Sequence, residues 1–511
     1  MRYRDGPDDP EGPENTEDTE GVDDMDGAVT TGGPGVLDRW FRITERGSTV
    51  ATEVRGGVVT FFAMAYIVVL NPLILGTTAD RTGEVLGTSR VAAVTALAAG
   101  VMTVLFGVVA RLPFGIATGL GINSLVAVTL VAGEGLTWAE AMGLVVIDGV
   151  VIVVLALTGF REAVFSSIPD SLKSAIGVGI GLFIAMIGLV DAGFVRRVPD
   201  AAHTTVPVAL GTDGSITSWP TVVFALGLLI CGVLVARKVR AGLFIGIVAT
   251  TVLAVVVEAL THAGPSVVDG EARPGGWNLS VPGLPDSLGG VPDLSLVGAV
   301  DLVGAVTHLG ALSAALLVFT LVLANFFDAM GTMTALGRQA RVMDERGELP
   351  GLRTALVVEG AGAVVGGAVS SSSNTVFVDS AAGIGDGART GLANVVTGVL
   401  FLLAMFLTPL YEVVPIEAAA PVLVVVGSLM MAQVADIDFR DPGTALPAFL
   451  TIVVMPFTYS IANGIGVGFI THVVVAVALG RGRSVHPLLY VVAALFVVYF
   501  AVDPIMGAVR S

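Results

Sequence analysis

One stretch gathers polar chemistry inside an otherwise apolar chain: Ser370-Ser-Ser-Ser-Asn-Thr-Val-Phe-Val-Asp379, running on through Ser380-Ala-Ala to Gly391. Long apolar runs flank it, so the Asp379 carboxylate sits at or near membrane depth, where an ionisable group marks a functional site by default. Irregular backbone at that depth persists only where it is packed in protein or lines a cavity. Thr375-Val-Phe-Val378 has the β-branched and aromatic content of a short strand, and Ser380-Ala-Ala can start a helix. A short strand feeding a half-helix would aim that helix's N-terminal N–H groups into a cavity. This stretch is therefore expected to be the binding centre. The alternative is that Asp379 only holds the Ser-rich turn.

Three more carboxylates fall within apolar runs: Asp148, Asp328 and Glu359. Each costs at least ~2.5–3.5 kcal/mol at the bilayer centre on insertion scales. Asn325, Asp328 and Thr332 share one helical face, either as ligand contacts or as glue between helices. Asp148 and Glu359 each either serve the site or simply pair across helices, and Glu359 joins Asp379 and Asp328 as a candidate for proton movement. Asn71 (before Pro72) and Asn123 read as caps or ligand contacts. Phe326, Phe327 and Phe377 flank the polar groups and can stack on a flat ligand or simply pack. The five histidines show no ligand-like spacing, so no metal site is expected. There is no Walker A pattern. Transport without a cofactor, driven by an ion gradient or passive, is the expectation. The lone cysteine, Cys231, forms no intrachain disulfide.

The elements that position these groups are membrane helices. The 511 residues are 54% hydrophobic and 14% charged, with a mean hydropathy of +0.87. Soluble proteins carry about 25% charged residues, so a polytopic transporter or channel in a lipid bilayer is expected rather than an enzyme. Residues 1–37 hold 11 acidic residues against 2 arginines, the composition of a disordered tail. Residues 38–261 hold seven spans, the third broken at Leu112-Pro-Phe-Gly-Ile-Ala-Thr118-Gly-Leu-Gly-Ile-Asn123. Residues 262–311 form an external loop and connector, read as passive. Residues 312–484 hold seven more spans, with the stretch around Asp379 third among them. Residues 485–511 form an apolar tail whose His486 to Ala501 is read as lying in the interface. Arginines before the first span (Arg39, Arg42, Arg46, Arg55), and after several others, fall on one side, which predicts a cytoplasmic N-terminus. Two seven-span units are inverted relative to each other, with the broken segments in matching places.

The sequence from about Trp40 to Phe500 resembles the nucleobase/cation symporter family 2, in its AzgA-like adenine/guanine/hypoxanthine permease branch. The resemblance rests on Met64-Ala-Tyr-Ile with Asn71-Pro72, Leu112-Pro-Phe through Asn123, Ser167-Ile-Pro with Ser171-Leu-Lys173, Phe327-Asp328 with Gly331-Thr332, Asp379-Ser-Ala-Ala-Gly with Arg389-Thr-Gly391, and Pro447-Ala-Phe-Leu-Thr451 with Met455-Pro-Phe-Thr-Tyr-Ser-Ile. It implies an all-α polytopic membrane protein of fourteen segments in two inverted repeats. Segments 1–4 and 8–11 would form a core and the rest a gate, with short antiparallel strands in segments 3 and 10. It further implies proton-coupled import of purine bases, bound by Asn123, Asn325, Asp328 and Asp379. Two positions depart from the family. Asn325 stands where Asp is usual, and Asn cannot take up a proton. Asp379 stands where Glu is usual, and its shorter side chain leaves room for a different seating of the base or a bridging water.

The expected partners are a nucleobase and the lipid bilayer, without nucleic acid, and a homodimer is among the open oligomeric states. The alternatives are an uncoupled nucleobase facilitator or channel, and a transporter of another small solute such as uracil or an anion. Two carboxylates beside one cavity argue against an anion, since like charges repel strongly in low dielectric.

Overall fold

The computed structural model describes residues 35–158, 168–197, 208–211, 214–268, 271–273, 275–285, 287–344 and 349–510. The acidic tail up to residue 34, Ser167 and Arg346 lie outside them, as do the side chains of Phe326 and Phe327. Segment 1 is Val50–Met64 continued by Ile67–Leu75. Segment 2 is Thr88–Val109, 4 is Trp138–Thr158, 5 is Asp170–Asp191, 6 is Trp219–Ala236 and 7 is Gly242–Thr261. Segment 8 is Ala311–Gln339, 9 is Leu352–Ala368, 11 starts with Gly391–Ala404, 12 is Ile416–Met430, 13 is Pro442–Phe457 and 14 is Ile461–Ala478. Among the described residues nine helices are long and apolar enough to cross a membrane. The other crossings are shorter or broken, as the polar interruptions in the sequence require.

Several helices begin earlier than their apolar runs. Segment 1 opens at Val50, where the Thr49 side chain accepts the Thr52 N–H, and segment 5 opens at Asp170 behind Pro169. Hydropathy reads the part solvated by lipid, whereas capping by Ser, Thr or Asp sets where the helix starts. Charged first turns such as Glu53-Val-Arg55 then extend beyond the apolar stretch. Glu53 is buried and accepts the Arg389 and Thr390 N–H groups at 2.9 and 3.1 Å, so segment 1 satisfies the start of segment 11.

The packing partners sort the segments into two groups. Segment 2 packs on 11 and 4 on 9, and 1 packs on 11 as 8 does on 4. In the other group 5 packs on 12 and on 13, 12 on 6, 7 on 12 and 14 on 5. Adding seven to the lower number and subtracting it from the higher maps each pair onto another observed pair, with 5 and 12 mapping onto themselves. Segments 1–4 and 8–11 are thus a core, segments 5–7 and 12–14 a gate, and the halves are inverted repeats.

Glycine-to-backbone contact makes the close crossings. A Cβ on Gly398 would stand 2.5 Å from the Gly100 carbonyl oxygen, and one on Gly391 would stand 1.9 Å from that of Gly107, which joins segments 2 and 11. Gly149 and Gly360 do the same for segments 4 and 9. In the gate, Gly181 of segment 5 meets Gly427 of segment 12, as the glycine spacing of segment 5 predicts.

Two further segments are packed onto the helices. All of His486 to Ala501 but His486 itself belongs to a 24-residue helix, Pro487–Arg510, and its Leu489, Val492 and Phe496 are buried, with Phe496 against Phe319 of segment 8. The 262–311 loop carries the buried Trp277, whose indole donates to Glu258 at 2.7 Å, so it is folded onto the gate.

Gly398→Val drives a side chain into segment 2 and should destabilise the protein by about 1–3 kcal/mol or more. Gly232 has open space around its Cβ position, so Gly232→Val should leave thermal unfolding in detergent unchanged. Equal behaviour of the two variants would contradict the packing described.

Candidate functional site

The centre is a two-stranded antiparallel ribbon of β1 (Ile116–Thr118) and β6 (Asn374–Val376), paired 116 to 376, 117 to 375 and 118 to 374. The Gly119 N–H donates to the Ser373 carbonyl at 3.0 Å and the Phe377 N–H to the Gly115 carbonyl at 2.9 Å. Beyond β1 the chain enters Leu120–Ser124 and a wider-wound helix, Leu125–Gly133. Beyond β6 it makes the tight turn Val378–Ser380 and the short helix Ala381–Gly385. Both expected strand-to-helix breaks are present.

Buried amides and hydroxyls satisfy the strand ends, where neither helix nor water supplies partners. Asn71 donates to Thr95 at 2.7 Å and to the Ser371 carbonyl at 3.1 Å. Asn394 donates to the Phe114 carbonyl at 2.5 Å. The Thr103 hydroxyl donates to the Ile116 carbonyl and accepts its N–H. The Ser380 hydroxyl accepts the Gly115 N–H at 2.9 Å. Of the two readings of Asn71, the structure supports the one in which it holds backbone.

Asp379, in the turn after the second strand, and Asp328, beside Gly119 after the first, both stand at this ribbon and are half-buried. The Tyr66 hydroxyl of segment 1 donates to Asp379 Oδ2 at 2.8 Å and lies within electrostatic reach of Asp328. Phe377 is buried, its ring centroid 6.1 Å from that of Tyr66. Asp328 faces the backbone after β1, since a Cβ on Gly119 would come within 3.8 Å of its Oδ2 and 3.0 Å of Thr375 Cγ2. Two carboxylates from different segments, an aromatic pair and a side-chain-free glycine thus share one region.

Asn325 is fully buried, and its amide donates to Asp148 Oδ2 of segment 4 at 2.5 Å and to the Ser373 hydroxyl at 2.8 Å. Both amide protons are used, so its Oδ1 can only accept, and no described residue donates to it. Asn123 donates to Thr118 at 2.5 Å, and its Oδ1 likewise has no donor among the described residues. Glu359 is fully buried on segment 9. At helical spacing it shares a face with Gly362 and Gly366, the residues that approach Asn374 of β6. It backs the ribbon rather than standing in the group around Asp379.

Tyr66 is the residue that sequence reasoning missed. Its hydrogen bond spans 313 residues, which no local pattern reveals. The available signal was Pro72, which lacks an N–H and crowds the carbonyl four residues back. Around Tyr66 the helix tightens, with Val68 and Val69 bonding to Ala65 and Tyr66.

At the arginine-rich end core and gate are tied together. Arg55 of segment 1 and Arg240 of the 6–7 linker both bond Asp386, which closes segment 10, and Phe62 meets Phe244 with ring centroids 5.9 Å apart. Arg46 bonds the Arg111 and Arg389 carbonyls at 2.6 and 3.0 Å, so these arginine-bearing linkers meet at one face, as the charge pattern predicts.

Residues 51–467 match the family model Xan_ur_permease, described as a permease family. The chain is 36% identical over 471 residues to the guanine/hypoxanthine permease PbuG of Bacillus subtilis (strain 168), covering 91% of this chain and 99% of that one. It is 35% identical over 467 residues to the adenine permease AdeP of Escherichia coli (strain K12), covering 91% and 96%. The transmembrane domain of the cyanobacterial bicarbonate transporter BicA superposes with a TM-score of 0.56 at 15% identity, covering 81% of this chain and 97% of that one, a likeness of fold. With the inverted repeats and paired strand-to-helix breaks described above, this chain belongs to the permease family and is a multi-pass membrane transporter, not an enzyme.

Proposed function

We propose that the protein imports purine nucleobases across the cell membrane by proton symport, with its N-terminus in the cytoplasm. The observation that carries this reading is the pair of half-buried carboxylates, Asp328 and Asp379, beside Tyr66 and Phe377. A purine offers N–H donors and ring-nitrogen acceptors along its edges and a flat face. Asp328 and Asp379 accept its N–H groups, Asn325 and Asn123 present amide oxygens, and Phe377 lies against the ring. The relatives named as guanine/hypoxanthine and adenine permeases support the substrate class. Asp379, Asp328 and Glu359 are the groups that can carry a proton, and the proton gradient replaces any cofactor. The cytoplasmic N-terminus rests on the arginine-rich face. The homodimer stays a proposal too, checked by cross-linking in membranes.

Uptake of labelled adenine, hypoxanthine, guanine, xanthine and uracil, with and without a protonophore, tests the reading. At least one purine should accumulate uphill, and the protonophore should abolish that accumulation. Movement that only equilibrates would identify a facilitator, and transport of none of these bases would refute the substrate class. In the same assay Asp379→Asn, which keeps the size and cannot titrate, should lose uphill accumulation and retain exchange. Protonophore-sensitive accumulation by that variant would move the coupling to Asp328.

Asn325→Asp restores the family's usual residue beside Asp148 Oδ2. Two carboxyls at hydrogen-bond distance cannot both ionise freely, so the pair must retain a proton. The variant should fold, as judged by thermal unfolding, and its uptake should show a shifted pH profile. An unchanged profile and base preference would remove Asn325 from the site.

A further inference from the structure

At the end that carries the 262–311 loop, a cavity of about 540 Å³ lies between core and gate. Leu73 of segment 1, Thr77 just beyond it and Val128 of the helix Leu125–Gly133 form its core wall, and Asp191 and Tyr459 its gate wall, while Asn278 closes it from the loop. The volume falls within the range of small-molecule sites, about 300–1,000 Å³.

The loop wall is fixed. The Asn278 N–H donates to Glu417 Oε1 at 2.9 Å and its side-chain amide to the Asp191 carbonyl at 3.0 Å. Glu417 and Glu258 are therefore engaged by the loop. The Asp191 carboxylate differs, for it accepts no hydrogen bond from any described residue although it is half-buried. Beside it, Tyr459 holds a left-handed backbone at φ 54°, an outlier for a bulky residue of the kind that clusters at binding sites. Its ring stands 5.5 Å from that of Phe183.

Asp191 lies eleven residues beyond Ile180, which packs at Gly121 after β1. At 1.5 Å per residue that is about 16 Å along segment 5. A base at Asp191 is therefore in a different place from a base at Asp379, on the same path between the domains.

We infer that this cavity is a second, outer binding site for the transported base, in which Asp191 accepts a base N–H and Tyr459 offers its ring. The inference rests on the proposed function and orientation. An outer site loads the central one, so it enters the half-saturating concentration more than the maximal rate.

The test is uptake kinetics of [³H]adenine, [³H]hypoxanthine and [³H]guanine in cells expressing the wild-type chain, Asp191→Asn or Asp191→Glu, with surface expression measured. Asp191→Asn should raise KM about tenfold, the size of one lost hydrogen bond to a charged acceptor. Maximal rate should stay within about twofold, and Asp191→Glu should recover most of the affinity. In purified Asp328→Asn/Asp379→Asn protein, residual base binding should persist and vanish when Asp191→Asn is added. An unchanged KM in Asp191→Asn, or a lowered maximal rate at unchanged KM, would overturn the outer site and leave the proposed function standing. Failure of the wild type to take up any purine, xanthine included, would overturn both.

Discussion

The centre of this protein depends on keeping peptide groups hydrogen-bonded where there is neither helix nor water. Two strands of three residues pair among the membrane helices, and each would be untenable alone in hydrocarbon. They survive by pairing with one another and by borrowing Asn71, Asn394, Thr103 and Ser380 for the groups the pairing leaves over. The same pairing brings the backbone beside Asp328 of segment 8 and the Asp379 turn into one region. What keeps the backbone satisfied also brings the chemistry together.

Much of this was legible because lipid imposes simple rules. Apolar runs mark helices, arginines mark one face, and a Ser-rich interruption holding a carboxylate marks a site. The two broken segments declared themselves through glycine and polar content, and Asp379 and Asp328 through the cost of their charge. The partners were not legible. Asn325 meets Asp148 across 177 residues and Tyr66 meets Asp379 across 313, and neither distance leaves a trace in local spacing. Asp148 was readable as a residue that pairs across helices, but only the fold shows that it orients Asn325, one of the two departures from the family pattern.

The loop and the last helix illustrate a different limit. The loop's proline, glycine and acidic content describes its solvation and says nothing of the wall it builds against the gate. Its order comes from Trp277 and Asn278 finding Glu258 and Glu417, carboxylates that hydropathy counts only as interruptions. The Pro487–Arg510 helix was underestimated because Asp503 and Pro504 ended the apolar run.

The fold separates a tied end from an end with a cavity. At the arginine-rich face Arg240 of the gate holds onto Asp386 of the core, which Arg55 of segment 1 also bonds, while the opposite face has the cavity around Asp191 between core and gate. The central claim is that a purine sits at the ribbon between Asp328 and Asp379. It is tested most directly by determining the structure of the protein in lipid nanodiscs with a bound purine. The account predicts density for the base within hydrogen-bond distance of both carboxylates, with its face against Phe377. A base bound where neither Asp328 nor Asp379 reaches it would contradict the account.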